Sequence, residues 1–269
     1  MVVIYVKKYV IASDYDGTLK INGKISQKVL DAINKFRSMG HLFGVVTGRG
    51  YDNGYEVFKK EELPFDFIVM CGGSSACDRD GNIIFANYAK GDAEMKGSTM
   101  AEQYVKRCLE LTKLPCGITV EKRFYRFHPQ LPEGGNVDGR VYVAHNRVKE
   151  IGNFVMSNAI CETPQQASVV VEVLKKEFGK YLNPQQNGRC IDCPPPGVNK
   201  ATGLEQLAKI LGVDKENIYT VGDNYNDIDM LKAFKGCAIS TGVEGIRQYA
   251  DYICDDVADV VSIVLGKSK

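Results

Sequence analysis

The chain has no tryptophan, only three histidines and almost no excess of either charge: 34 Lys and Arg stand against 33 Asp and Glu, a formal net charge of +1. Near-neutrality leaves no basic footprint for nucleic acid or for an anionic membrane surface. Long hydrophobic runs are missing too, since none approaches the about 20 residues that span a bilayer. The apolar stretch Val2 to Val10 is broken by Lys7-Lys8 and has no small-residue cleavage site, which reads against a signal peptide. The nine cysteines follow no framework spacing and are odd in number, so they read as reduced thiols of a cytoplasmic protein. Cys190-Ile191-Asp192-Cys193 holds the one close pair, and no second Cys/His pair follows at zinc spacing. It reads as two thiols on an alternating strand. His41, His128 and His145 are isolated from one another and form no constellation.

What is present is an ordinary globular balance, 44% hydrophobic and 25% charged over 269 residues, enough for one large domain or two modest ones. The first third alternates strand and helix. Tyr9–Ser13, Leu42–Val46 and Phe65–Met70 read as buried strands. Gln27–Met39 carries Val29, Leu30, Ile33 and Phe36 at helical spacing and stops at Gly40, and Tyr55–Glu62 reads as a second helix. Repeated β-α-β units imply a parallel sheet with helices on both faces. From about Asp78 the pattern changes. Asp80-Gly81 predicts a hairpin turn before a strand at Ile83–Phe85, then a long helix from about Asp92 to Thr112 and a strand-like stretch Gly117–Phe127. Gly134-Gly135-Asn136 and Asp138-Gly139 mark loops, with strands at Arg140–His145 and Phe154–Ala159. Gln165–Phe178 reads as a helix with Val169, Val170, Val173 and Leu174 inward. After Pro194-Pro195-Pro196-Gly197 the α/β grammar resumes, with a helix at Lys200–Leu211, a strand at Ile218–Val221, a helix at Asp227–Phe234 and strands near Cys237–Ile239 and Tyr252–Cys254. The expected architecture is an α/β, Rossmann-like core formed by residues 1–78 and 191–269, split by an inserted α+β cap at 79–190.

Four places in the core point at one pocket. Asp14-Tyr15-Asp16-Gly17-Thr18 follows the first strand and delivers two carboxylates to the end of a sheet, where ligands of open α/β sheets bind. Acids crowded in this way repel unless a cation or proton is shared, which points to a divalent metal, a nucleophile beside an acid/base, or both. Thr47-Gly48-Arg49 offers a hydroxyl and a backbone amide suited to a phosphate oxygen. Lys200 opens a helix, an unfavourable place for a cation unless something anionic is near. Gly222-Asp223-Asn224-Tyr225-Asn226-Asp227 repeats the opening theme; a helix N-cap explains Asp227 and leaves Asp223 idle. Together these supply hard oxygen ligands for Mg²⁺, a carboxylate nucleophile, a second carboxylate for proton transfer, and donors for an anion.

In these residues and their order, the chain resembles the haloacid dehalogenase superfamily of phosphohydrolases. The insertion between the second and third motifs is similar to the large type II cap of its Cof-like sugar-phosphatase branch. The resemblance implies that Asp14 is the nucleophile and a Mg²⁺ ligand, and that Asp16 is the general acid and then base, with its backbone carbonyl on the metal. It further implies that Thr47, the Gly48 amide, Lys200 and Asn226 hold the phosphoryl group. Asp223 would ligate Mg²⁺ directly, and Asp227 directly or through water. The chain departs from the branch in Gly50-Tyr51-Asp52-Asn53-Gly54-Tyr55, rich in Gly and Tyr, and in Cys71-Gly72-Gly73-Ser74, where Asn-Gly is more usual.

The resulting expectation is a cytoplasmic phosphatase of small phosphate esters, most readily sugar phosphates, a monomer or weak homo-oligomer that binds neither nucleic acid nor membrane. A phosphotransferase or mutase, or a non-catalytic sensor of phosphometabolites, are the alternatives. Arg123 and Arg126, interleaved with Phe124, Tyr125 and Phe127, read either as contacts to a substrate's distal group or, the favoured reading, as solvated faces of a strand.

Overall fold

The computed structural model describes residues 8–92, 95, 97–137 and 140–267; the chain up to Lys7 and the Asp138-Gly139 turn lie outside them. The core begins with β1 (Val10–Ser13), α1 (Gln27–Ser38), β2 (Leu42–Val46), α2 (Tyr55–Lys60), β3 (Phe67–Met70), β4 (Ser75–Asp78) and β5 (Ile83–Ala86). The cap contains α3 (Gly97–Thr112), β6 (Cys116–Val120), β7 (Arg123–Phe127), β8 (Asn136–Val137), β9 (Arg140–Val141), β10 (Met156–Ile160), α4 (Pro164–Phe178), β11 (Gln185–Asn187) and β12 (Cys190–Cys193). The chain then completes the core with α5 (Lys200–Leu211), β13 (Ile218–Gly222), α6 (Ile228–Ala233), β14 (Lys235–Ile239), β15 (Tyr252–Cys254) and α7 (Val257–Lys267).

The core sheet has the order β15-β14-β13-β1-β2-β3-β4-β5. The strands from β15 to β3 run parallel, and β4 and β5 add an antiparallel hairpin at one edge. Short apolar strands of this kind are stable only when both faces are covered. Side chains alternate accordingly: Ile11 packs with Val29, Ile33 and Phe36 of α1 and with Val257, Val260 and Val264 of α7. Val10 and Ala12 face Leu204 and Leu207 of α5 and Met230 of α6. The order reverses at β1, where successive strands step away through β2 on one side and through β13 on the other. Such a switch point leaves a crevice at the carboxyl ends of the strands.

The cap is a second, wholly antiparallel sheet of order β11-β12-β10-β6-β7, with α3 and α4 packed on one face. Sheet membership moves both expected boundaries. β5 lies beyond residue 78 yet extends the core sheet, and β12 reaches past residue 190 yet pairs inside the cap. Gly117–Phe127 is a hairpin and not one strand, because the chain reverses at Glu121 (φ +49°). The strand expected at Arg140–His145 is confined to β9, followed by a 3₁₀ turn at His145–Glu150. In α4 the buried stripe is Ala167, Val170, Val171, Leu174 and Phe178, with Val169 67% exposed. Consecutive valines leave the helical phase ambiguous in sequence; the i, i+3, i+4, i+7 face settles it.

Two glycines fix where α5 enters the core. A Cβ on Gly73 (φ +110°) would fall 2.0 Å from the Asn199 carbonyl oxygen, and one on Gly203 would fall 2.5 Å from the Gly73 carbonyl oxygen. The Cys71-Gly72-Gly73-Ser74 departure therefore lets the loop after β3 touch the first turn of α5. Asn199 and Thr202 close that turn with a reciprocal capping box. Gly73→Ala is expected to lose about 2 kcal/mol or more in urea unfolding, through both the positive φ and the backbone clash. An unchanged midpoint would contradict this packing.

Candidate active site

Asp14 stands where β1 ends, its amide still in the ladder through a 2.9 Å bond to the Val221 carbonyl. Asp223 follows β13, the adjacent strand, so parallel pairing places both acids on the same rim. Asp227 lies in the short 3₁₀ turn Tyr225–Asp227, wholly buried. Its Oδ2 accepts from the amides of Asp223 and Asn224, both at 3.0 Å. Gly222 permits this fold-back, since a Cβ there would meet the Asp227 side chain at 2.5 Å.

Into this acidic corner α5 drives Lys200. Its Nζ donates to Asp14 Oδ1 and to Asp227 Oδ1, each at 2.6 Å, with the side chain only 4% exposed. Burial alone would push the ammonium down, but the two carboxylates hold it above its usual range. Burial pushes the Asp14 carboxyl up to about 7; Lys200 pulls it back, and Asp227 and Asp223 add to the rise. Asp223 is also raised, chiefly by burial, while the Thr18 hydroxyl donates to its Oδ1 at 2.5 Å. One cation against three carboxylates leaves an acidic surplus.

Ligand atoms of Asp14, Asp223 and Asp227 lie within 4.8 Å of one another. Hard carboxylate oxygens at that spacing fit Mg²⁺. Asp14 and Asp223 are the carboxylates suited to bind it directly. Asp227 already has both oxygens committed, to Lys200 and to two amides, which suits a supporting or water-mediated place.

Asp16 points elsewhere. Its side chain is 60% exposed and makes a two-pronged pair with Arg49, at 2.8 and 2.7 Å. Arg49 rests on the Tyr15 ring at 4.8 Å and donates to the Asn53 carbonyl, while the Tyr15 hydroxyl and Lys20 both bond Glu61. The Gly50–Tyr55 departure is the turn that seats this arginine: the Gly50 amide donates to Asn53 Oδ1, and Tyr51 stacks on Tyr55 at 4.7 Å. The Thr47 hydroxyl accepts from the Arg49 amide at 3.2 Å, which leaves its proton for a ligand.

Above these groups lies a cavity of about 440 Å³, the size of a small-metabolite site. Its floor includes Asp14, Asp16, Thr47, Gly48 and Asn226, with Asn224 and the turn Arg49–Asn53 beside them. Lys200, Asp223 and Asp227 back that floor. Its roof is the helix-free face of the cap sheet, including Thr119, Phe124, Arg126, Asn158, Asn187 and Asp192. The structure thus brings Asp14, Lys200, Asp223 and Asp227 into direct contact or near it, lines one cavity with Asp16, Thr47, Gly48 and Asn226, and holds the Asp16 carboxylate on Arg49.

Sequence reasoning assigned no role to Thr18, Arg49 or Asp192, and favoured the solvated reading of Arg126 over a substrate contact. Arg49 had a visible signal, a cation directly after a candidate phosphate turn. Arg126 corrects the solvated-strand reading: alternation gave the two faces of β7, but not that one of them roofs a cavity. Cys190 and Cys193 do alternate as expected, the first toward the cavity and the second into the cap core beside Tyr104.

Comparison with known proteins meets the same geometry. The sequence profile of the haloacid dehalogenase-like hydrolases matches residues 11–264. The chain belongs to that family. Its parallel-sheet core and inserted antiparallel cap are also the fold of solved structures it resembles. It is 23% identical over 258 residues to the 5-amino-6-(5-phospho-D-ribitylamino)uracil phosphatase YitU of Bacillus subtilis, covering 91% of each chain. A similar enzyme, YbjI of Escherichia coli, is 24% identical over 82% of this chain and 81% of its own. In fold, the chain matches a putative HAD/COF-like hydrolase of Plasmodium vivax with a TM-score of 0.77, at 19% identity over 98% of each chain. It matches the HAD subclass IIB sugar phosphatase BT4131 with a TM-score of 0.74, at 16% identity over 95% of this chain and 98% of that one.

Removing the Lys200 charge would leave two buried carboxylates facing each other. Lys200→Met is therefore expected to lose about 3–5 kcal/mol in urea unfolding without divalent metal, the range for breaking a buried ion pair. Adding Asp227→Asn is expected to recover part of the loss, because the two sites are coupled. Strict additivity would contradict the ion triad.

Proposed function

We propose that the protein is a Mg²⁺-dependent phosphatase of small phosphorylated metabolites, acting through an aspartyl phosphate on Asp14. One observation carries this reading. Among the described residues, Lys200 takes Oδ1 of Asp14, no hydrogen bond engages its Oδ2, and Asp14 lines a cavity beneath the cap sheet, near Asp223. A carboxylate fixed by one oxygen and free at the other, at the edge of a cavity, is arranged as a nucleophile.

Asp14 Oδ2 attacks phosphorus, and the P–O bond to the leaving alkoxide breaks. Asp16 gives that alkoxide its proton. The Thr47 hydroxyl, the Gly48 amide, Asn226 and the Lys200 ammonium are the donors for the phosphoryl oxygens. In the second half, Asp16 takes the proton of the water that attacks phosphorus and frees Asp14. Arg49 grips both oxygens of Asp16, and the first half needs that pair to open so that Asp16 can reach the leaving alkoxide. Asp14, Asp223 and the Asp16 carbonyl, supported by Asp227, would hold a Mg²⁺ ion, which would supply positive charge against the phosphate dianion.

A cavity of about 440 Å³ admits a sugar or polyol phosphate and excludes a phosphoprotein loop. The relatives named as phosphatases of a phosphoribityl compound, and the structural neighbour named as a sugar phosphatase, support that substrate class.

Steady-state phosphate release from a panel of sugar phosphates is the test, and EDTA is expected to abolish it. Asp14→Asn is expected to abolish turnover, and Asp16→Asn to lower kcat about 10²- to 10⁴-fold, the range for general acid–base catalysis. Full activity in Asp14→Asn would refute the nucleophile. An isomeric sugar phosphate without net phosphate release would instead assign a mutase.

A further inference from the structure

The cap face that roofs the cavity has an order of its own. Cross-strand register places Asp192 of β12 opposite Asn158 of β10, Asn158 opposite Gly117 of β6, and Gly117 opposite Arg126 of β7. Directly opposed residues of antiparallel strands share a face. This is therefore one transverse row, and Asp192, Asn158 and Arg126 all line the cavity. Gly117 leaves its place in the row to Phe124: a Cβ there would lie 2.1 Å from the Phe124 ring and 2.9 Å from Asn158 Oδ1. The Arg126 guanidinium lies 4.6 Å over the same ring. With neighbouring strands about 4.8 Å apart, three steps span roughly 14 Å.

The row is anchored over the chemistry at its acidic end. Asp192 Oδ2 lies 3.3 Å from the place a Gly48 Cβ would occupy, and Gly48 belongs to the turn proposed to hold the phosphoryl group. A carboxylate there cannot welcome the phosphate itself. It sits instead where the first atoms of the leaving group must pass, and an ionised carboxylate accepts hydrogen bonds only. Burial between cap and core pushes the Asp192 carboxyl up to about 6, with an Asn187 hydrogen bond and the charge of Lys200 pulling it back. A half-desolvated acceptor of this kind is costly unless a donor arrives. Neutral donors adjacent to a phosphoester are hydroxyl groups.

Resting on the phosphatase reading above, we infer that Asp192 is a specificity-determining residue that reads a leaving-group hydroxyl next to the phosphoester. Asn158 reads the chain further along, and Arg126 receives an oxygen-rich acceptor at its far end. The substrate class is an extended phosphorylated polyol or sugar acid, as opposed to an aryl or unsubstituted alkyl phosphate. Phe124 gives the chain an apolar wall between its two polar ends.

The experiment measures kcat and KM of the Mg²⁺-loaded enzyme on three probes: p-nitrophenyl phosphate, glucitol 6-phosphate and 6-phosphogluconate. The wild type is expected to prefer both hydroxylated esters. Asp192→Ala is expected to lower kcat/KM on them at least tenfold more than on p-nitrophenyl phosphate, mainly through KM, the penalty of a polar group left unpaired. Asp192→Asn, which keeps an acceptor oxygen, is expected to recover part of this. Arg126→Ala is expected to penalise 6-phosphogluconate beyond glucitol 6-phosphate. Thermal melts establish that the variants fold; if Asp192→Ala does not, Asp192→Asn and Asn158→Ala carry the same comparison. Equal losses on all three probes, or no wild-type preference, would overturn the inference while p-nitrophenyl phosphate is still hydrolysed. No hydrolysis of any probe by the wild type would overturn the phosphatase reading and this inference with it.

Discussion

The buried ammonium of Lys200, 2.6 Å from both Asp14 and Asp227, is the interaction on which the rest depends. Three carboxylates brought together at the ends of two neighbouring strands would drive the corner apart or take up protons. Lys200 offsets one charge from the protein's own sequence, and the surplus is what the proposed Mg²⁺ would neutralise. Its placement constrains distant parts of the chain. α5 must begin at one point, hence the close approach of Gly73 and Gly203 and the capping box at Asn199. Asp227 must face inward, hence the absence of a side chain at Gly222 and the two amides that fasten its second oxygen. A buried ion triad is a poor source of net stability; in the proposed mechanism its value is to hold one oxygen of Asp14 and leave the other for chemistry.

The fold divides the labour. The parallel sheet supplies fixed strand ends at a switch point, so acids separated by about two hundred positions share a rim. The antiparallel cap supplies a roof whose strand alternation sorts residues into a helix-covered face and a cavity face. Between them, the two groups proposed for proton transfer and attack have opposite surroundings. Asp14 is buried and locked by a cation from below; Asp16 is exposed and held from the side by Arg49. Two carboxylates one residue apart thereby acquire different freedom of movement, as two different tasks require.

Much of the core was legible in the sequence. Strand runs ending in Gly or Asp, and the helix over Lys200–Leu211, agree with the structure because local periodicity and tertiary burial point the same way there. Lys200 itself was legible because a cation at a helix N-terminus is out of place. The cap was harder. β11 is Gln-Gln-Asn, which carries no apolar alternation, and no element was assigned after Cys254 although Val257–Lys267 forms α7. Val169 looked inward only because valines crowd α4. Asp192 was illegible, and the choice between the two readings of Arg126 undecidable, for a different reason. Strand alternation names two faces, but which face meets the core is set by how one sheet lies over another, and no local pattern encodes that. The same applies to Arg49 and Asp16, whose pairing crosses from one strand end to the next.

The most direct test is a crystal structure of the protein grown with Mg²⁺ and beryllium fluoride, a mimic of a phosphoryl group on a carboxylate. The account expects the mimic bonded to Asp14 Oδ2, with Lys200, Thr47 and Asn226 on its fluorines and the metal between Asp14 and Asp223. Density for the mimic on any other residue, or a metal bound away from those two carboxylates, would contradict it.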